Sequence, residues 1–222
     1  MNIREHNNLR YSGKLCLDKF AKLRVKKTIS LIGSCETILD VGCYDGSIME
    51  ILKCKCNKIV GIDNSISAIL NCTNKGLTVK LLKGEKFPFK DNSFDCIVAG
   101  EVIEHVFDTK NFLLEINRVL KKNGQLIITT PNLVSFGSRI MMLFGKKPWM
   151  MEYKADKKTS GHVRYFTSDT LSELLNECRF KPVIKTCEAL TLTHGFYITN
   201  EFITEKFHKL GRILIFKCKK GS

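Results

Sequence analysis

Residues 38–46 read ILDVGCYDG, and the fold turns on this stretch. Ile38, Leu39 and Val41 make a short apolar run, the pattern of a strand buried on both faces. The run breaks at once into a turn holding Gly42 and Gly46. Glycine at the first position lets the backbone approach a ligand closely, and at the second it opens the helix that follows. Between them stands Tyr44, where a third glycine is expected. A bulky side chain in the left-handed region is strained. The loop is therefore expected to keep Tyr44 out of that region and still to bind.

Working outward, strands are predicted over 37–43, 58–63, 77–83, 94–100 and 125–131. Helical spacing of Leu15, Phe20, Leu23, Ile29 and Ile32 predicts an N-terminal helix over 15–32. Further helices are expected over 46–54, 65–76 and, briefly, 101–106, and an amphipathic one over 109–124 with Gly124 as its stop. Strands alternating with helices from 37 to 131 predict an α/β fold, a doubly wound, mostly parallel sheet with helices on both faces. After Pro131 the rhythm breaks, and residues 132–166, rich in Met and aromatics, read as a small cap insertion. A helix over 167–180, capped by Ser168 or Asp169, follows. Strands over 181–189 and 211–220, with a helix near 199–210, complete seven strands with an antiparallel C-terminal edge strand. The expectation is one domain over 1–222, divided into an N-terminal helical segment (1–35), a cofactor-binding core (36–131), the cap and substrate segment (132–166) and the rest of the sheet (167–222).

The 222 residues are 44% hydrophobic and 26% charged, the balance of an ordinary globular protein. The N-terminus has no apolar signal core, and no run of about 18 apolar residues offers a membrane span, so a cytoplasmic location is expected. The net charge of +14 comes mainly from lysines scattered next to turns. A nucleic-acid protein clusters its basic residues with aromatics on one element, so a solvated surface is the preferred reading and nucleic acid is not an expected partner. Anionic substrates and peripheral membrane contact stay compatible with that charge. The ten cysteines, on apolar stretches and without an export signal, read as reduced thiols. Cys54 and Cys56 form C-x-C with no second close pair, so no metal site is expected.

In a doubly wound sheet the ligand lies beyond the carboxyl ends of the strands. Three loops end there: DVGCYDG, GIDNS and AGEVIEH. Asp63 lies 21 positions after Gly42, the spacing of an acid that grips ribose hydroxyls. A nicotinamide site needs G-x-G-x-x-G facing pyrophosphate, which Asp40 and Asp45 would repel. The same carboxylates favour a cationic ligand. S-adenosylmethionine carries an ammonium and a sulfonium and no phosphate.

The series DVGCYDG, GID, FPFKDNSFDCIVAGEVIEHV and LLEINRVLKKNGQLIITTPN, in that order, resembles the class I S-adenosylmethionine-dependent methyltransferases. Residues 36–131 carry the likeness, and GHVRYFTSDTLSELLNECRF continues it more loosely, like small-molecule and glycan methyltransferases. The resemblance implies the Rossmann-like methyltransferase fold, with S-adenosylmethionine as cofactor and S-adenosylhomocysteine as product. It places Asp40, Gly42 and Gly46 around the methionine part, Gly100 and Glu101 along its side, Asp63 on the ribose, and Asn64 and Ser65 near the adenine. The Tyr44 ring is expected beside the cofactor, near its cationic end. The acid that relatives place before the L-P-F motif falls at Lys83 or Gly84, leaving adenine to backbone groups or Glu85.

For a hydroxyl acceptor a histidine is the expected base. His105 and His162 are the catalytic candidates. His105 reads equally as a packed histidine beside Glu104, His194 is a weaker candidate, and His6 and His208 lie outside the reading. The cap residues Phe136, Met141, Met142, Leu143, Phe144, Trp149, Met150 and Met151 fit a flexible lining for an apolar or lipid-linked acceptor, or equally core packing. Lys146 and Lys147 would meet an anionic group or a membrane surface. The expected function is methyl transfer to a small-molecule or glycan oxygen. The alternatives are an RNA or protein methyltransferase, which lacks the Asn/Asp-Pro-Pro-Tyr/Phe signature here, and a non-catalytic relative that binds the cofactor only.

Overall fold

A computed structural model describes residues 18–148, 150–152, 161–193 and 196–221. Leu15, His6, Trp149 and His194 lie outside those residues. Strand β1 (Cys35–Val41) is an interior strand of a seven-stranded sheet. Its neighbours are β2 (Cys56–Asp63) and β4 (Phe94–Gly100), both parallel to it. Ile38 packs into one hydrophobic cluster and Leu39 into another. This alternation across a run apolar on both faces produces the double winding. One layer holds α1 (Lys19–Leu31), α2 (Ser47–Leu52) and α3 (Ile66–Asn74). The other holds α4 (Thr109–Val119) and, further along the chain, α6 (Ser168–Glu177).

The sheet order is β3-β2-β1-β4-β5-β9-β6, with β3 at Val79–Leu81, β5 at Leu120–Pro131, β6 at Phe180–Cys187 and β9 at Ile213–Lys220. The C-terminal strand β9 is antiparallel to both neighbours, as expected, but it lies one place in from the edge. Its apolar run Leu214–Phe216 is fully buried, which an outer strand would not allow, and the half-exposed β6 takes the edge.

Three other boundaries differ from the sequence reading. The amphipathic helix stops at Val119 rather than Gly124, because Leu120 turns to extended backbone and is buried against β4. Asn123 (φ 66°) and Gly124 then form a bulge before regular pairing resumes at Gln125. Helix α6 is capped by Thr167 through a capping box with Thr170, not by Ser168 or Asp169. A small separate hairpin, β7 (Leu190–Thr193) and β8 (Phe196–Ile198), occupies a stretch to which the sequence reading assigns no element. Helix α5 (Phe136–Leu143) lies in the expected cap, and α7 (Glu201–Lys206) falls within the helix expected near 199–210.

The nine cysteines among the described residues are free thiols, most of them buried. Among those residues no helix is long and apolar enough to cross a membrane.

Candidate functional site

The ends of β1, β2 and β4 lie side by side and bring the three predicted loops together. Asp40, near the end of β1, is buried, and its Oδ2 has no hydrogen-bond partner among the described residues. Burial, and then the nearby Asp63 carboxylate, push its carboxyl up to about 7. Beyond it, the Gly42 and Cys43 N–H groups both donate to the Ile62 carbonyl, at 2.8 and 3.1 Å, folding the turn over β2. Gly42 sits at φ 73°, and a Cβ there would stand 2.5 Å from Cγ2 of Val102. The loops after β1 and β4 therefore touch, and only glycine permits it.

Tyr44 overturns the backbone expectation: its φ is 49°, in the left-handed region. What holds it there is Asp63, whose Oδ2 accepts the Tyr44 N–H at 3.0 Å while Oδ1 accepts the Ser65 N–H at 2.8 Å. One carboxylate thus ties the ends of β1 and β2 together. Burial raises the Asp63 carboxyl, and the backbone N–H groups of Ser65, Tyr44 and Asn64 oppose that rise. Ser65 is buried and caps α3 through Ala68, whereas Asn64 is exposed. Asp45 accepts from the Ser47 N–H and hydroxyl and pairs with Lys75 at 3.6 Å, so its charge is already offset.

At the end of β4, Glu101 takes φ 57°. Its N–H donates to the Thr129 carbonyl, its Oε1 accepts the Thr129 hydroxyl at 2.9 Å, and Arg24 Nη1 of α1 lies 3.5 Å away. The N-terminal helix therefore reaches over the strand ends. Among the described residues, the nearest atom to a Cβ placed at Gly100 is Thr129 Oγ1, at 3.8 Å. Glu85 turns to Asn111, accepting its amide at 3.0 Å.

A second group of side chains follows. Glu104 is 1% exposed; Thr130 Oγ1 donates to its Oε2 at 3.0 Å, and Oε1 has no partner among the described residues. Burial and the charge of Glu101 hold its carboxyl well above the ordinary range. The Glu104 carbonyl accepts the N–H groups of Val163 and Arg164, which docks the segment after the cap onto the loop after β4. His105 and His162 meet there, with ring centroids 5.0 Å apart. His105 Nδ1 donates to the Gly161 carbonyl at 3.0 Å. Glu152 Oε2 accepts the N–H groups of Gly161 and His162, and the Glu152 N–H donates to the Tyr165 hydroxyl. His208 is elsewhere, bridging Ser168 and the Glu205 carbonyl.

The structure thus joins Asp40, Gly42, Tyr44, Gly46, Asp63 and Ser65 in one turn system, and His105 with His162 in another. Sequence reasoning missed Arg24, Thr129, Thr130 and Glu152, which no local motif marks, and named Glu104 only as a packing neighbour of His105. Cap residues Leu143 and Phe144 are 77% and 72% exposed, whereas Met150 is buried, so the apolar run divides between surface and core.

Residues 39–128 match the family described as "Methyltransferase domain". A "Probable S-adenosylmethionine-dependent methyltransferase" of Mycobacterium tuberculosis is 29% identical over 148 residues, 66% of this chain and 49% of the relative. The chain spans about half the length of that protein. The ubiquinone biosynthesis O-methyltransferase of Cereibacter sphaeroides is 28% identical over 152 residues, 66% of this chain and 60% of the relative. Among solved structures, a SAM-dependent methyltransferase from Thermotoga maritima superposes with a TM-score of 0.69, 21% identity and coverage of 97% and 93% of the two chains. The N-methyltransferase NodS of Bradyrhizobium japonicum, in complex with S-adenosyl-L-homocysteine, gives 0.68 at 16% identity, covering 99% and 100%.

The turn system suits such a cofactor. An orphaned buried carboxylate oxygen on Asp40, beside a second carboxylate on Asp63, is a costly arrangement that a cationic ligand relieves.

Proposed function

We propose that this chain, which carries a class I S-adenosylmethionine-dependent methyltransferase domain, methylates an oxygen of a small-molecule or glycan acceptor. The observation that carries this reading is the orphaned Asp40 carboxylate beside Asp63 at the strand ends, one loop away from the His105–His162 pair. When bound, the cofactor supplies an electrophilic methyl on sulfur, and the acceptor oxygen gives up its proton as the C–O bond forms and the C–S bond breaks. Asp40, Gly42 and Gly46 hold the methionine part, with Gly100 and Glu101 beside it. Asp63 takes the ribose hydroxyls on lone pairs left over from its two backbone contacts, and Asn64 and Ser65 flank the adenine. The Tyr44 ring lies against the cationic end.

A neutral His105 that donates through Nδ1 keeps its lone pair on Nε2, the form a general base requires. His162 shares that role across the 5.0 Å gap. The likeness to an O-methyltransferase supports oxygen as the accepting atom. The exposed Leu143 and Phe144, with Lys146 and Lys147 following, favour an acceptor with an apolar or lipid part presented at a membrane surface. The net charge of +14 favours a second reading, an RNA acceptor.

Calorimetry with S-adenosylmethionine, followed by a methyl-transfer screen over hydroxylated small molecules and glycans, tests the proposal. Micromolar binding that Asp63→Ala weakens at least about 10-fold is expected, since a ligand hydrogen bond to a charged group contributes about 1.5–3 kcal/mol. Absent binding sinks the enzyme reading. Activity found only with RNA, and lost in high salt, moves it to the second.

A further inference from the structure

We propose that Glu104, His105 and His162 form a binding site for a single divalent transition-metal ion. A carboxylate oxygen of Glu104 and one nitrogen of each histidine all lie within 4.8 Å of one another. Ligands on one ion at ~2.0–2.2 Å stand roughly 3 Å apart, so closure asks for a movement of about 1–2 Å. That movement falls on His162, which is half-buried on an irregular segment, whereas Glu104 is fixed. The independent sign is Glu104 Oε1, deep in the protein and without a partner among the described residues. A buried carboxylate oxygen in that state is destabilising unless something cationic meets it.

The surroundings of each ligand are those of a metal centre. Metal-bound histidines donate their other ring N–H to a carbonyl or carboxylate, which fixes the tautomer. A carbonyl only accepts, so the contact of His105 with Gly161 places a hydrogen on Nδ1, and the neutral ring then carries its lone pair on Nε2. Thr130 orients Glu104 through Oε2. Glu152 fixes the backbone on both sides of the Gly161–His162 bond. Two imidazoles and one carboxylate suit Zn²⁺, Fe²⁺ or Mn²⁺ rather than Ca²⁺ or Mg²⁺. With an ion bound, the histidine lone pairs are spent on it, and the three protein ligands leave positions open for an oxygen of the acceptor, whose acidity the ion would raise in place of a histidine base. That role rests on the methyl-transfer reading, whereas ion binding itself does not. The C-x-C pair at Cys54 and Cys56 takes no part; the ligands come from segments that only the fold brings together.

The test uses the full chain, stripped with chelator and titrated with Co²⁺ and Zn²⁺ by absorption and calorimetry. One ion per chain is expected, with a Co²⁺ ligand-field spectrum that lacks thiolate charge-transfer bands. His105→Ala, His162→Ala and Glu104→Gln should each weaken binding at least about 10-fold. His162→Ala, at a half-buried position, should keep the wild-type circular dichroism and serves where Glu104→Gln does not fold. Binding no tighter than about 0.1 mM overturns the site. So does equal binding in the His105→Ala/His162→Ala double variant. S-adenosylmethionine calorimetry on the same samples separates the two ideas, because absent cofactor binding with intact ion binding refutes the methyl-transfer reading alone.

Discussion

Gly42 and Tyr44 share one turn and one backbone region, yet they answer to different constraints. At Gly42 space and φ act together, since a Cβ would lie 2.5 Å from Val102 Cγ2 at φ 73°. Gly42→Ala should therefore lose about 2–3 kcal/mol of stability in urea, from left-handed strain plus displacement of Val102. Adding Val102→Ala should return the steric part; a double variant less stable than the additive sum would refute the contact. At Tyr44 the strain lies in φ. A left-handed tyrosine carries roughly 1 kcal/mol of strain, and glycine removes that strain while raising the entropy of the unfolded chain. Tyr44→Gly is expected to stay within about 1 kcal/mol of wild type, and Tyr44→Ile to fall below it by more. The Asp63 contact uses the Tyr44 N–H and survives both changes. The two glycines were legible in the sequence because the chemistry of a close turn needs them. The φ of Tyr44 was not, because its cause is a carboxylate supplied by another strand.

Helix α1 buries Val25, Lys27 and Thr28 and packs Ile29 and Leu31 on the core, and a second set of contacts holds its outer side. Arg24 reaches Glu101, Phe20 packs edge-on to Tyr197 of β8 at 5.7 Å, and Arg212 lies over the Phe20 ring at 4.5 Å. The charged pair contributes little by itself, so the aromatic anchor should decide whether the helix stays down. Phe20→Ala is expected to raise amide hydrogen exchange across 19–31 at least about 10-fold while β1, β4 and β5 keep wild-type protection. Uniform protection across α1 in that variant would mean that the helix is held by its own core residues instead. The central strands could be read from sequence because apolar runs between turns have few other uses. The end of α4 could not, because Lys121 and Lys122 are good helix formers and tertiary burial of Leu120 overrides them. His105 and His162 could each be singled out, but their meeting depends on Val163 and Arg164 docking on the Glu104 carbonyl. Nothing local encodes that contact.

Across the whole molecule, a chain of net charge +14 nonetheless buries several of its few carboxylates, and the cost depends on pH. Asp40 and Glu188 are both pushed up to about 7, mainly by burial. Asp63 faces Asp40, while the Ile213 N–H and the Arg212 charge oppose the rise at Glu188 and the charge of Glu101 adds to it. In the folded state these two groups hold their protons more tightly than in the unfolded chain. Their stabilisation is therefore complete below about pH 4 and is lost as pH rises through about 7. Asp95 and Glu115, held low, act in the opposite sense and withdraw their support as pH falls through the carboxylate range. His208, also held low, adds stability as pH rises toward its ordinary value. The ligand-free protein should thus be most stable near pH 5, by urea denaturation in chelator. Toward pH 8 it should weaken by a few kcal/mol, since each tenfold difference in proton affinity between folded and unfolded chain is worth ~1.4 kcal/mol. Asp40→Asn/Glu188→Gln should flatten that decline, and because Asp95, Glu115 and His208 are common to both proteins, their effects cancel in the difference. Parallel curves for the two proteins between pH 5 and 8 would refute the assignment. A cationic ligand at Asp40 favours the ionised carboxylate, so S-adenosylmethionine should stabilise the wild type more at pH 8 than at pH 5. In the Asp40→Asn protein that pH preference should vanish.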